Sequence, residues 1–168
     1  THLHPDHVGW NLTNGQPTFS NARYLAPRSD WEYWTQPSVL QAAEHITNQV
    51  LPLAKLNIID LMDNDYQVTD ELTTISTPGH TPGHMSVIIS SGGERGYILG
   101  DVAHNPAQAF HTDWNPVFDI QPGLSRQTRH QVLDHLEAEG ITVSAGHFPD
   151  PGFGKFVREG GRRIWQGI

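Results

Sequence analysis

The 168 residues carry a formal charge of −8, with 17% charged and 36% hydrophobic side chains, 16 glycines and 12 prolines. That balance excludes a basic nucleic-acid surface, a coiled coil and a disordered tail, and it fits a loop-rich globular protein with length for a sizeable core. Cysteine is absent, which rules out disulfides and thiolate metal sites, while eleven histidines stand out.

No apolar run approaches the roughly 18 residues needed to span a bilayer, so no membrane partner is expected. The partner to expect is a small-molecule substrate, and a cytoplasmic location is the starting expectation. There is no internal repeat or linker, so one domain over 1–168 is expected.

In chain order, THLHPDHVGW opens with an extended start that Pro5 turns into a helix. Residues 18–27 read as a strand or extended segment. Residues 29–35 (SDWEYWT) start with cap-like residues and read as a short helix. From Ser38, the placing of Val39, Ala42, Ala43, Ile46 and Val50 predicts one helix that Pro52 ends. Short strands follow at 56–62, 71–77, 85–90 and 95–99, with a hairpin turn at Ser91-Gly92-Gly93. An irregular stretch covers 101–123. The next helix is predicted over 125–139, with Ser125 as N-cap, Val132, Leu133 and Leu136 facing inward and Gly140 as the stop. A strand at 141–145 leads into Gly146-His147, and a final hairpin turns at Glu159-Gly160-Gly161. Strands flanked by helices predict a layered α/β protein with its polar residues at strand ends, where sites are built.

His2, His4, Asp6 and His7 are four metal-ligand types in six positions. On an extended chain His2 and His4 point to one side, because strand side chains alternate. The bend at Pro5 can then turn Asp6 and His7 toward a second ion beside the first. Two ions need further ligands, and three strand ends supply them: Pro78-Gly79-His80-Thr81-Pro82-Gly83-His84, Leu99-Gly100-Asp101 and Gly146-His147. His111, Trp114 and Phe118 lie in the long loop as pocket-lining candidates, with Trp10, Trp31, Trp34 and Phe110 read mainly as core. His45, His130 and His135 are expected on helix surfaces.

This series, H-x-H-x-D-H, PGHTPGH, LGD and GH, in that order, resembles the metallo-β-lactamase-fold superfamily of hydrolases. Its TPGHTPGHMS stretch and the ending HFPDPGFGKFVREGGRRIW resemble the lactonase and methyl-parathion-hydrolase-like branch. The resemblance implies an αββα sandwich, here mainly its later portion. It implies His2, His4 and His80 on one metal, Asp6, His7 and His147 on a second, and Asp101 bridging them. His84 would support a ligand through a hydrogen bond. His104 stands where lactonase relatives have a tyrosine; it would either donate to a developing oxyanion or the leaving group, or be a loop histidine satisfied within the fold.

The implied cofactors are two divalent ions, zinc first, with iron, manganese or cobalt as alternatives. Such a pair turns a shared water into a bridging hydroxide near neutral pH, and Asp6 would orient it for attack on a lactone or ester. The alternatives within the superfamily are a phosphotriesterase or a thioesterase. Outside enzymes, the same ligands could serve a non-catalytic metal-binding scaffold. A G-x-S-x-G elbow is missing from the sequence, which argues against an acyl-serine route. In the family the His-rich motif closes a first half of the fold. The expectation is therefore an incomplete N-terminus, with an oligomer or a preceding segment completing the sandwich and covering its edges.

Overall fold

Pro5 occupies the first position of helix α1 (Pro5–Val8), where its missing N–H costs nothing, and His4 enters it with an extended backbone, ψ 159°. The computed structural model describes all 168 residues, which divide into two units, Thr1–Asp63 and Asn64–Ile168.

In the first unit, α1 is followed by β1 (Leu12–Thr13), β2 (Gln16–Pro17), β3 (Tyr24–Pro27), α2 (Arg28–Trp34), α3 (Pro37–Leu40), α4 (Glu44–Gln49), α5 (Leu51–Lys55) and β4 (Ile59–Met62). β1 and β2 form an antiparallel pair, and β3 pairs in parallel with β4. Leu3, Val8, Ala26, Ala43, Ile46 and Val50 make its core, with Trp31 and Trp34 packed against it.

Two expectations change here. Only Tyr24–Pro27 of the predicted 18–27 segment is strand; Phe19 is exposed, and the preceding residues turn instead. The single helix expected from Ser38 is three short ones. Ala43 leaves helical geometry at ψ 65°, and Pro52 lies in the first turn of α5, so it starts a helix where the sequence suggested it ends one.

The second unit is built on one seven-stranded sheet. Its strands are β5 (Tyr66–Gln67), β6 (Leu72–Ser76), β7 (Met85–Ser91), β8 (Glu94–Ile98), β9 (Thr142–Ser144), β10 (Phe153–Glu159) and β11 (Arg162–Gly167), with α6 (Pro122–Glu139) between β8 and β9. The spatial order is β11-β10-β9-β8-β7-β6-β5. All neighbours are antiparallel except β8 and β9, which run in parallel. A parallel pair needs a long crossover, and the stretch containing α6 supplies it. Ser91 pairs with Glu94 and Glu159 with Arg162, so each hairpin closes over a Gly-Gly pair whose positive φ suits a two-residue turn.

Helix α6 begins at Pro122, three residues before the expected Ser125 cap. Ser125 is buried inside the helix, where its Oγ accepts from Arg129 Nη2. Leu133 and Leu136 are fully buried against Tyr97, Leu99, Val143 and Phe156, with Val132 at the margin of that core. The irregular stretch contains two 3-10 turns, Gly100–Val102 and Pro106–Ala109; Asn105 caps the second through a capping box with Gln108.

The β-strand directions place the connections 77–84, 99–121 and 145–152 at one end of the sheet, since β6, β8 and β9 all run toward it. No helix is long and apolar enough to cross a membrane.

Candidate metal centre

In the first unit, the bend at Pro5 brings the opening histidines together. His2 is buried, its Nε2 lies 3.1 Å from His4 Nδ1, and its ring is 4.0 Å from that of His7. Asp6 is exposed, with Oδ2 3.6 Å from His7 Nε2. The sequence reading missed the supports of this segment. The backbone N–H of Leu3, between His2 and His4, donates to the fully buried carboxylate of Asp30 at 2.9 Å. His45 also bonds the Leu3 backbone, and burial holds its pKa down. It packs edge-on against Trp34, which in turn meets His4, so it is a supporting residue where a surface one was expected.

In the second unit, the end of β6, the end of β8 and the end of β9 each deliver a ligand type. Gly79 makes the first turn possible. It adopts φ +130°, and a Cβ there would lie 2.2 Å from the backbone nitrogen of Ser125 in α6. The turn is stitched to the loop before α6: Ile120 N–H donates to the His80 carbonyl, and Gln121 N–H to that of Gly79.

Three imidazoles then converge on one carboxylate oxygen. Asp101 Oδ2 lies 3.3 Å from His80 Nε2, 3.0 Å from His104 Nε2 and 3.2 Å from His147 Nε2. His80 and Asp101 are buried, and His147 is the more open of the three histidines. His104 stacks on His147 and meets the edges of Phe118, while its Nδ1 is buried with no hydrogen-bond partner.

Behind these residues lies a second layer, and its members were only partly legible. His84 is fully buried; its Nε2 accepts the backbone N–H of Asp101 at 2.8 Å, while its Nδ1 faces the Thr77 carbonyl at 3.0 Å. Burial, helped by nearby His80, pushes its pKa down to about 3, so the ring is neutral and its tautomer is set by those two bonds. Asp119 Oδ1 accepts from His80 Nδ1 at 2.8 Å. Arg129, fully buried, donates to Val102 O, Thr112 O, Trp114 O, Asn115 Oδ1 and Ser125 Oγ, and approaches Asp119 Oδ2 at 3.4 Å. Burial lowers the Arg129 pKa, against the pull of Asp119. For His80, burial also pulls downward, but the bonds to Asp101 and Asp119 outweigh it and its pKa is raised.

Phe118 therefore borders His80 and His104, whereas His111 and Trp114 stack on each other, 4.0 Å apart. Trp10 and Phe110 are exposed, and Phe110 lies beneath the guanidinium of Arg162. His130 bonds Asp113 and His135 is exposed. Imidazole and carboxylate donors of this kind fit a divalent cation. His80 fits especially well, because Asp119 holds one ring nitrogen and directs the other at Asp101.

Known proteins were compared with the chain. It matches the family model of the metallo-beta-lactamase superfamily over residues 1–147. An N-acyl homoserine lactonase of Bacillus cereus is 32% identical over 147 residues, covering 88% of this chain and 53% of that protein. One from Bacillus thuringiensis is 26% identical over the same shares. The chain thus spans about half the length of the curated relatives it matches.

Among solved structures, the hydrolase AbOPH of the beta lactamase superfamily superposes with a TM-score of 0.91 at 26% identity, covering 99% of this chain and 62% of that one. AidC, a dizinc quorum-quenching lactonase in complex with a product, gives 0.83 at 21% identity over the same shares, a likeness of fold. Since the family match runs from the first residue through His147, and so through every position of the ligand series, the chain belongs to the metallo-beta-lactamase superfamily.

Proposed function

We propose that the chain carries the metal centre of a hydrolase that opens lactones, with N-acyl homoserine lactones as the first substrates to test. The carrying observation is the convergence of three imidazole nitrogens on Asp101 Oδ2. A carboxylate oxygen has two lone-pair directions, so a third nitrogen is poorly served by hydrogen bonding alone, and cations seated beside that oxygen would account for the crowding. The lactonase relatives support the substrate class.

In this reading His2, His4 and His80 would hold one divalent ion, Asp6, His7 and His147 would hold a second, and Asp101 would serve as a ligand to both; zinc is the first metal to test. When bound, such a pair supplies Lewis acidity and activates water near neutral pH. Asp6 accepts a hydrogen bond from the attacking water and orients it toward the carbonyl. His104 would donate to the developing oxyanion or to the leaving-group oxygen, a role that its place beside Asp101 and Phe118 supports. Asp119 fixes the His80 ring, and His84 fixes the backbone of Asp101, so both position ligands without touching substrate.

The test is metal analysis together with a panel of lactones, aryl esters and phosphotriesters. Two ions per active site and lactone opening that is lost on chelation and in His80→Ala are expected. Hydrolysis indifferent to both treatments would overturn the reading.

A further inference from the structure

We infer that His80, Asp101 and His104 form a metal site of their own within the second unit, one that takes a first-row divalent cation without His2 or His4. The inference rests on the proposed metal centre but adds a ligand to it.

The donor atoms of these three residues all lie within 4.8 Å of one another. Donors bound to zinc at roughly 2.0–2.1 Å in a tetrahedron stand about 3.3–3.4 Å apart. His80 Nε2 lies 3.3 Å from Asp101 Oδ2, at that edge length, and His104 Nε2 lies 3.0 Å from the same oxygen. A charge-assisted hydrogen bond would draw nitrogen and oxygen nearer, to about 2.7–2.9 Å. Asp119 accepts a hydrogen bond from His80 Nδ1 at 2.8 Å, which leaves Nε2 directed at Asp101. A cation between them would engage His80, His104 and Asp101 together, whereas a proton there serves only one of the contacts.

His104 is held for the same role from behind. Its backbone N–H donates to Gln108 Oε1 at 2.7 Å, and its ring is packed between His147 and Phe118. A tyrosine at this position, as in the lactonase pattern, would offer an oxygen in place of the imidazole nitrogen. Two imidazoles and one carboxylate leave coordination positions open, so the site can accept further ligands once an ion is seated.

The experiment uses the full chain. Metal-free wild type, the quadruple variant His2→Ala/His4→Ala/His7→Ala/His147→Ala, and that quadruple variant carrying His104→Gln are titrated with zinc against a chromophoric chelator, and bound zinc is counted after gel filtration. The quadruple variant, which lacks the histidines of both other ligand groups, is expected to keep one bound ion per chain, and adding His104→Gln is expected to weaken it at least tenfold. Loss of all zinc in the quadruple variant, or an affinity within threefold after His104→Gln, overturns the inference.

If His104→Gln does not fold by circular dichroism, X-ray absorption on the zinc of the quadruple variant replaces it. Two imidazoles per ion support the site and one overturns it. A wild type holding a single ion, with the quadruple variant unchanged, would instead sink the two-ion reading and leave this site standing.

Discussion

Arg129→Met removes a guanidinium that is fully buried yet bonded on every side. The side chain is of similar length, so the change deletes charge and donors rather than volume. The Trp114 carbonyl keeps a donor, Gln108 Nε2 at 2.8 Å, but the Val102 and Thr112 carbonyls lose the guanidinium that served them. Each buried acceptor left unpaired costs about 1–3 kcal/mol, and an uncompensated Asp119 adds to it, giving about 3–5 kcal/mol. With a urea m-value of about 2 kcal/mol/M, the unfolding midpoint should fall by about 2 M. Urea titration followed by tryptophan fluorescence measures this, with exposed Arg126→Met as a control expected to change stability by less than about 0.5 kcal/mol. A drop below about 0.5 M for Arg129→Met would refute the accounting. Combining it with Asp119→Asn should cost less than the two single changes added, because each single change strands the other's charge.

Gly79→Ala should lower stability by about 3 kcal/mol or more and weaken zinc binding, because the new methyl meets the backbone of α6; thermal melts and a zinc titration read both effects. Gly92→Ala has open space around it and should cost only about 1–2 kcal/mol, from its positive φ. His84 has a folded pKa of about 3 against an ordinary 6.5, so its contribution is intact above pH 6.5 and falls away as pH drops toward 3. The slope is up to about 1.4 kcal/mol per pH unit, and urea unfolding in chelator between pH 6 and 4 should show a shallower slope for His84→Gln. Arg158, opposed slightly by burial and joined by Arg163, holds the Glu137 carboxyl below its usual range; that support is present above pH 4.5 and lost as pH falls. This network is partly open to solvent, so Glu137→Gln should cost about 1 kcal/mol or less, and less still in high salt, as denaturation at two ionic strengths can establish.

The turns that carry the candidate ligands are legible from sequence wherever the chain itself does the positioning. The H-x-H-x-D-H run, PGH, LGD and GH each sit on a turn whose local residues dictate its shape. Asp30, Asp119 and Arg129 were not legible, because nothing near them in the chain marks them as buried. Asp30 reads as a first-turn helix residue and Arg129 as one more charge on α6, yet each is bonded to residues far away in sequence. A buried charge is expensive unless several donors or acceptors from different elements meet it, and that meeting is a property of the fold. The broken helix after Ser38 shows the same limit at a smaller scale. The apolar spacing was correct, since Ile46 and Val50 are buried, but Pro52 admits two readings that spacing does not separate.

The two Gly-Gly hairpins, at residues 92–93 and 160–161, lie at the end of the sheet away from the ligand-bearing connections, and a side chain at any of the four would meet nothing within 4 Å. They are natural attachment points. A fluorophore, an affinity peptide or a tether to a solid support could be placed there with a full strand length between it and the histidines. The protein could thus be immobilised with the rim that carries His80, Asp101 and His147 facing outward, without remaking the loops that present them.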